Sequence, residues 1–266
     1  MKLLTLNAHS WQETHQLDKI TILADEIVQK GYDVIALQEV SQLIDSLPLN
    51  DSLIHDDHYG QLLVDQLNKK SASTYHMRWA QAHIGYDIYE EGVALITRLP
   101  IIDEDVIFLS DSQDVNDWKT RVALKLTIES NQKLIDVFSV HLGFWEDKDE
   151  PAAKQFKRLL DATNLERLTF LMGDFNTEST HQSEGYRFML NHNWLDTYTL
   201  AKEKDNGITV PGAIDGWKDS AKDKRIDYIF TNQTINVDSS FAIFNGQNKP
   251  VISDHYGVEV ELIIPN

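Results

Sequence analysis

Short apolar runs and amphipathic runs alternate along this 266-residue chain. Residues 2–6 form a compact apolar segment that predicts a strand. Leu17, Ile20, Leu23, Ala24, Ile27 and Val28 then recur at the spacing of one helical face, and Gly31 is placed to stop that helix. Residues 33–37 predict a second strand and residues 59–67 a second helix. Tyr75, Met77 and Trp79 alternate as in a half-buried strand. Further strands are predicted over 93–96, 122–128, 134–140, 169–172, 226–231 and 257–262. Pro151 stands where a first helical residue would, opening a helix through Phe156, Leu159 and Leu160.

The polar stretches 43–58 and 202–224 are rich in Asp, Asn, Ser and Lys and read as loops. No internal repeat and no Pro/Ser-rich break interrupts the pattern. Many strands with few covering helices predict the α/β class, as a four-layer α/β sandwich of two stacked mixed β-sheets flanked by helices. By length alone the chain fits one large domain or two small ones.

An apolar fraction of 42% argues for a folded core rather than a disordered chain. No apolar run reaches the roughly 18 to 20 residues of a membrane span, and Met1 leads directly into the first strand instead of a signal peptide. A cytoplasmic protein with no membrane partner is expected. With no cysteine, thiolate catalysis and thiolate zinc sites are excluded, so carboxylates and histidines must carry any chemistry. A formal charge of −18 repels polyanions on average, which disfavours long nucleic acid as a partner.

Five segments share one grammar, an apolar strand that delivers polar, metal-loving or proton-handling residues at its end. They end at Asn7, at Gln38-Glu39, at His141, at Asp174-Phe175-Asn176 and at Ser253-Asp254-His255. Strand ends converge on one rim of a sheet, so side chains remote in sequence can share a site. Taken with Leu6-Asn7, Leu37-Gln38-Glu39, Ser139-Val140-His141-Leu142, Gly173-Asp174-Phe175-Asn176, Arg225-Ile226-Asp227-Tyr228 and Ser253-Asp254-His255, the chain resembles the endonuclease/exonuclease/phosphatase superfamily, which has the deoxyribonuclease I-like fold. The six signatures follow the family's order and span nearly the whole chain. A site built from both termini implies a single domain over 1–266.

The resemblance implies roles residue by residue. Glu39 matches the main metal ligand, helped by Asn7 and completed or supported by Asp254; such hard oxygen donors suit Mg²⁺, with Mn²⁺ as a substitute. Asp174 and Asn176 match the pair that orients the attacking water and holds the phosphoryl oxygens. His255 matches the catalytic histidine, with Asp227 fixing its tautomer and raising its pKa. His141 matches a second active-site histidine of the deoxyribonuclease-like branch, and Glu91 stands where that histidine's carboxylate partner belongs. Where abasic-site nucleases carry an acidic metal helper, this chain has His9. Asn7-Ala8-His9-Ser10-Trp11 followed by Glu13 instead resembles a group of bacterial phosphatases that includes maltose 6'-phosphate phosphatase.

Candidate substrate contacts are Arg121, His9 and Trp11. Lys119, Lys224 and Arg225 are further cations able to grip phosphate, and Trp145 and Trp217 further aromatics able to stack on a sugar. The expected activity is Mg²⁺-dependent hydrolysis of a small phosphomonoester, a sugar phosphate such as maltose 6'-phosphate. The alternative is a phosphodiesterase acting on nucleic acid or a phospholipid head group, as in nucleases and sphingomyelinases. A binding module that has lost catalysis is disfavoured, because none of the core residues is missing.

Overall fold

The computed structural model describes residues 1–50, 52–214, 217 and 221–264. The elements, in chain order, are β1 (Lys2–Asn7), α1 (Gln16–Lys30), β2 (Val34–Leu43), α2 (Tyr59–Lys70), β3 (His76–Gly85), β4 (Tyr89–Thr97) and β5 (Ile101–Phe108). They continue with β6 (Val122–Ser130), β7 (Lys133–His141), α3 (Ala152–Asp161), β8 (Thr169–Asp174), α4 (Glu184–Asn191), β9 (Leu195–Asp196) and α5 (Thr197–Leu200). The last are β10 (Glu203–Lys204), β11 (Asp227–Thr231), β12 (Asn236–Ile243) and β13 (Gly257–Ile263).

Two mixed sheets result, of seven strands in the order β10-β12-β13-β1-β2-β4-β3 and of six in the order β5-β6-β7-β8-β11-β9. The layering follows from side-chain alternation, because successive residues of a strand face opposite sides. Leu3, Val34, Ala36 and Leu95 of the first sheet meet Leu124, Val137, Phe170 and Met172 of the second in the core between them. Their neighbours Leu4, Ile35, Leu37 and Ala94 face outward onto Ile20, Leu23 and Ile27 of α1 and Leu63 and Leu67 of α2. On the opposite outer face, Phe138, Leu171 and Phe230 pack against Phe156 and Leu159 of α3 and Tyr186 and Met189 of α4. This is the four-layer sandwich the pattern predicts. Strands buried on both faces explain why they read as continuous apolar runs.

Two details differ from the sequence expectation. Pro151 is the N-cap residue of α3, with φ −63° and ψ 128°, rather than its first helical residue. Strand β2 continues past Leu37 to Leu43 through a register shift between Leu37 and Val40 against β4. Glu39 sits in that irregularity in the left-handed region, at φ 51°. Among the described residues, no helix is long and apolar enough to cross a membrane.

Candidate active site

Two of the parallel strand pairs, β1 with β2 and β7 with β8, end at the same rim. Asn7 pairs in register with Gln38, and His141 with Asp174. Strand β11 runs antiparallel to β8, so its first residue, Asp227, lies opposite Asp174. Buried polar bonds tie the sheets together there. Gln38 Nε2 donates to Ser139 Oγ at 3.1 Å, and Ser139 Oγ donates to the Leu37 carbonyl at 3.0 Å. Ser253 Oγ donates to the Asn7 carbonyl at 2.7 Å and pins the segment carrying Asp254 and His255 against the end of β1. Gly173, at φ 148°, permits the close β7–β8 approach before Asp174; a Cβ there would lie 2.0 Å from the Val140 carbonyl oxygen.

Asp174 is the hub. Its Oδ2 lies 3.2 Å from Asn7 Nδ2, 3.7 Å from His141 Nε2 and 3.8 Å from His255 Nε2. Asn7 Nδ2 also donates to Glu39 Oε1 at 2.8 Å. Burial, with the Asp227 charge, pushes the Asp174 carboxyl up to about 7 against the opposing pull of His255 and two hydrogen bonds. Burial and the Glu91 charge push Glu39 up to about 8. Crowded carboxylates held this far above their ordinary range are short of positive charge and offer hard oxygen donors; the Asn7 amide turns Nδ2 to them while its Oδ1 accepts the His9 backbone N–H at 3.2 Å. The donor set therefore fits a divalent hard cation. Two triads of side chains have ligand atoms close enough together to hold a metal, the half-buried His9, Glu13 and Asp254 and the buried Asp174, Asp227 and His255.

The two rim histidines are driven to opposite charge states. His255 Nδ1 lies 3.0 Å from Asp227 Oδ2. Burial alone would lower its pKa, but Asp227, Asp174 and Asp254 outweigh that and raise it to about 10, so the ring is an imidazolium. Burial, reinforced by Arg121, His83 and His255, holds His141 well below the usual range, so its ring is neutral. Asn176, at φ 46°, faces His141 Nε2 with its Nδ2 at 3.3 Å and donates the same Nδ2 to the Leu142 carbonyl at 2.8 Å. Its backbone N–H donates to Asp174 Oδ1 at 2.8 Å.

These residues open into a cleft of about 330 Å³, a volume suited to a small molecule. Glu39, Asp174, His141, Asn176, Asp254 and His255 line it, as do His9 and Arg121; Asn7 and Asp227 stand behind as buried supports. His9 Nδ1 bonds Glu13 at 2.8 Å and lies 3.5 Å from Asp254. Burial opposes protonation of His9, but Asp254, Glu13 and Glu39 prevail and raise its pKa.

Two expectations are corrected. Glu91 lines the cleft, but its Oε1 pairs with His83 Nε2 at 3.3 Å rather than with His141. A second register shift, between Gln81 and His83 of β3, swings His83 towards Glu91, and Gly92 accommodates it because a Cβ there would lie 2.0 Å from the Ala80 carbonyl oxygen. Trp11 is not among the described cleft residues: its indole N–H donates to the Ser41 carbonyl at 3.2 Å and holds the 8–11 turn against β2.

Of the other candidates, Trp145 packs on Phe156 and Phe188, Lys119 pairs with Asp147 and Asp149, and Arg225 bonds Asp196 at 2.7 Å amid Tyr186, Tyr198 and Tyr228. Lys224 Nζ donates to the Gly212 carbonyl. Trp217 does line the cleft, with Phe144 at 5.9 Å between ring centroids. Sequence reasoning missed His83, Trp118 and Phe144 as cleft residues. His83 carried a faint signal, a histidine in step with the alternation of β3; Trp118 carried none.

A profile described as the Endonuclease/Exonuclease/phosphatase family matches residues 10–255. Among solved structures, an endonuclease/exonuclease/phosphatase family protein from Leptotrichia buccalis C-1013-b is 39% identical, with 99% of this chain and 100% of that chain covered and a TM-score of 0.92. A mannosyl-6-phosphatase from Bacteroides thetaiotaomicron VPI-5482 is similar in fold at 16% identity, with 99% and 100% coverage and a TM-score of 0.71. Truncated TDP2 from Caenorhabditis elegans also shares the fold, at 16% identity, 99% and 97% coverage and a TM-score of 0.65. No curated protein matches the chain.

Proposed function

The chain belongs to the endonuclease/exonuclease/phosphatase family, and on that premise we propose that it is a Mg²⁺-dependent phosphatase of small phosphomonoesters. The preferred substrate is a phosphorylated sugar such as maltose 6'-phosphate, and the working unit is a single domain over 1–266, placed in the cytoplasm. The observation that carries the phosphoesterase reading is the convergence of Asn7, His141 and His255 on one oxygen of Asp174 at the acidic end of one cleft. The contacting rings of Trp217 and Phe144, with Trp118 also lining the cleft, support a sugar as the leaving group. A mannosyl-6-phosphatase among proteins of the same fold agrees with this choice.

Glu39, with Asn7 and Asp254, would hold the cation, which supplies charge to the phosphoryl oxygens. Asp174 orients the attacking water and, with a pKa near 7, accepts its proton at neutral pH. His255, locked as an imidazolium by Asp227, presents Nε2–H to the negative charge that builds on phosphorus-bound oxygen. Asn176 and neutral His141 fix the position of the phosphoryl group beside that water. In-line attack then forms the new P–O bond as the bond to the sugar oxygen breaks, and that oxygen leaves with a proton from the His255 imidazolium.

The test is a panel of substrates with Mg²⁺. Phosphate release from a sugar phosphate is expected, with little cleavage of duplex DNA or choline phospholipid. Efficient nicking of plasmid DNA at low salt, with no phosphate released from any sugar phosphate, would replace this reading with the phosphodiesterase one.

A further inference from the structure

Arg121 immediately precedes β6 and is 7% exposed, yet among the described residues no carboxylate lies within ion-pair distance of its guanidinium. A buried arginine keeps its charge and ordinarily has a carboxylate or phosphate partner. Among the described residues the guanidinium is held through one nitrogen: Nη1 donates to the Trp118 carbonyl at 2.8 Å and to the Thr120 carbonyl at 3.1 Å, and lies 3.3 Å from His83 Nδ1. His83 is in turn backed by Glu91. Nε is buried with no hydrogen-bond partner among the described residues. The brace therefore fixes the guanidinium while sparing its Nε–Nη2 edge, the edge that forms paired hydrogen bonds to two oxygens of one anion.

The location narrows the ligand. Arg121 is the sole Arg or Lys among the described residues lining the cleft. Glu91, Glu39 and Asp174 act on its charge, and its charge acts on His141, so the guanidinium stands close to the catalytic residues. A phosphomonoester carries close to two negative charges at neutral pH and three terminal oxygens, whereas a diester carries one charge and two such oxygens. In a cleft lined by Glu39, Glu91, Asp174 and Asp254 the extra charge needs its own counter-cation.

We propose that Arg121 is the residue that selects monoesters over diesters, taking through its spare edge the terminal phosphate oxygen that a diester has capped. His83 and Glu91 are positioning residues that act through Arg121. The inference rests on the phosphatase reading and specifies how that site recognises its substrate class.

The experiment compares kcat/KM for 4-nitrophenyl phosphate and bis(4-nitrophenyl) phosphate in the Mg²⁺-loaded full chain. Arg121→Met is expected to lower the monoester value by about 100-fold and the diester value by less than about fivefold. Arg121→Lys keeps the charge without the paired geometry, and is expected to lose about tenfold in the monoester-to-diester ratio; it serves alone if the Met variant does not fold. Inorganic phosphate, titrated calorimetrically with Mg²⁺ present, should bind both variants more weakly than the wild type. Equal losses on the two esters, or undiminished phosphate binding, would overturn the assignment. A wild type that prefers the diester, or cleaves neither ester, would instead sink the phosphatase reading, while the phosphate titration still decides whether Arg121 holds the anion.

Discussion

Trp217 donates its indole N–H to Oδ1 of Asn176 at 3.1 Å, which decides which way the amide points. With the oxygen committed to the indole, Nδ2 must face His141 and the Leu142 carbonyl. One side chain thus serves as cleft wall and as the orienter of a reacting-site amide. Trp217→Phe retains a ring and removes the bond, so kcat should fall roughly five- to tenfold with KM little changed. Trp217→Ala removes the wall as well and should also raise KM for a sugar phosphate. An unchanged kcat in the Phe variant would show that the bond does not orient the amide.

Asp227 and His255 form the second coupled pair. A carboxylate whose task is to keep an imidazole charged has nothing left to do once the imidazole is gone. Asp227→Asn and His255→Ala should each lower kcat/KM by about 10³-fold, and the double variant should lose little beyond either one. Losses that multiply across the double variant would separate the two residues.

The elements legible in the sequence are those buried on both faces or ended by a strong signal. β1, β7 and β8 are apolar runs closed by a polar residue at the rim, and α1 is closed by Gly31, which takes φ 65° there. Edge strand β5, Ile-Ile-Asp-Glu-Asp-Val-Ile-Phe, is largely exposed and carries no clean alternation, and β12 runs through Asp238-Ser239-Ser240. Most rim residues were legible because they follow an apolar run within one to three positions, as Asn7, Glu39, His141, Asp174 and His255 do. The Glu91–His83–Arg121 brace was not, because it is made across strands by a register shift between Gln81 and His83 that no local pattern encodes. Trp11 misled for a related reason: its neighbours in sequence are site residues, but its left-handed backbone, at φ 63°, belongs to a turn docked on β2.

Removal of metal should reveal the cost of the acidic cluster. Folding places Glu39 near Glu91 and Asp254, and burial together with these charges raises its pKa to about 8. Without a cation that repulsion is uncompensated, so in a chelator Glu39→Gln should be at least as stable as the wild type. Mg²⁺ should raise the melting temperature of the wild type and leave the variant nearly unmoved, with activity down by about 10³-fold or more. An equal Mg²⁺-induced shift in both proteins would remove Glu39 from the cation site.

The last prediction concerns stability far from the chemistry. His58 is fully buried at the start of α2, where Nδ1 accepts the Gln61 backbone N–H at 3.1 Å and the ring meets Trp79 edge-on at 4.9 Å. Burial, with a smaller contribution from His55, holds its pKa down to about 3. A proton on Nδ1 would also destroy the cap, since that nitrogen must accept. In the unfolded chain the ring titrates near its ordinary value of about 6.5. Between those values the unfolded state binds the proton that the folded state refuses, so the stability from neutral His58 is complete above about pH 6.5 and drains away as the pH falls towards about 3. His58→Asn keeps a capping acceptor and cannot titrate, so it should be less stable than the wild type at about pH 7.5 through lost packing. Urea unfolding at about pH 7.5 and about pH 5 should then show the wild type losing about 2 kcal/mol more than the variant over that interval. Identical pH slopes in the two proteins would mean that His58 takes up its proton without unfolding α2.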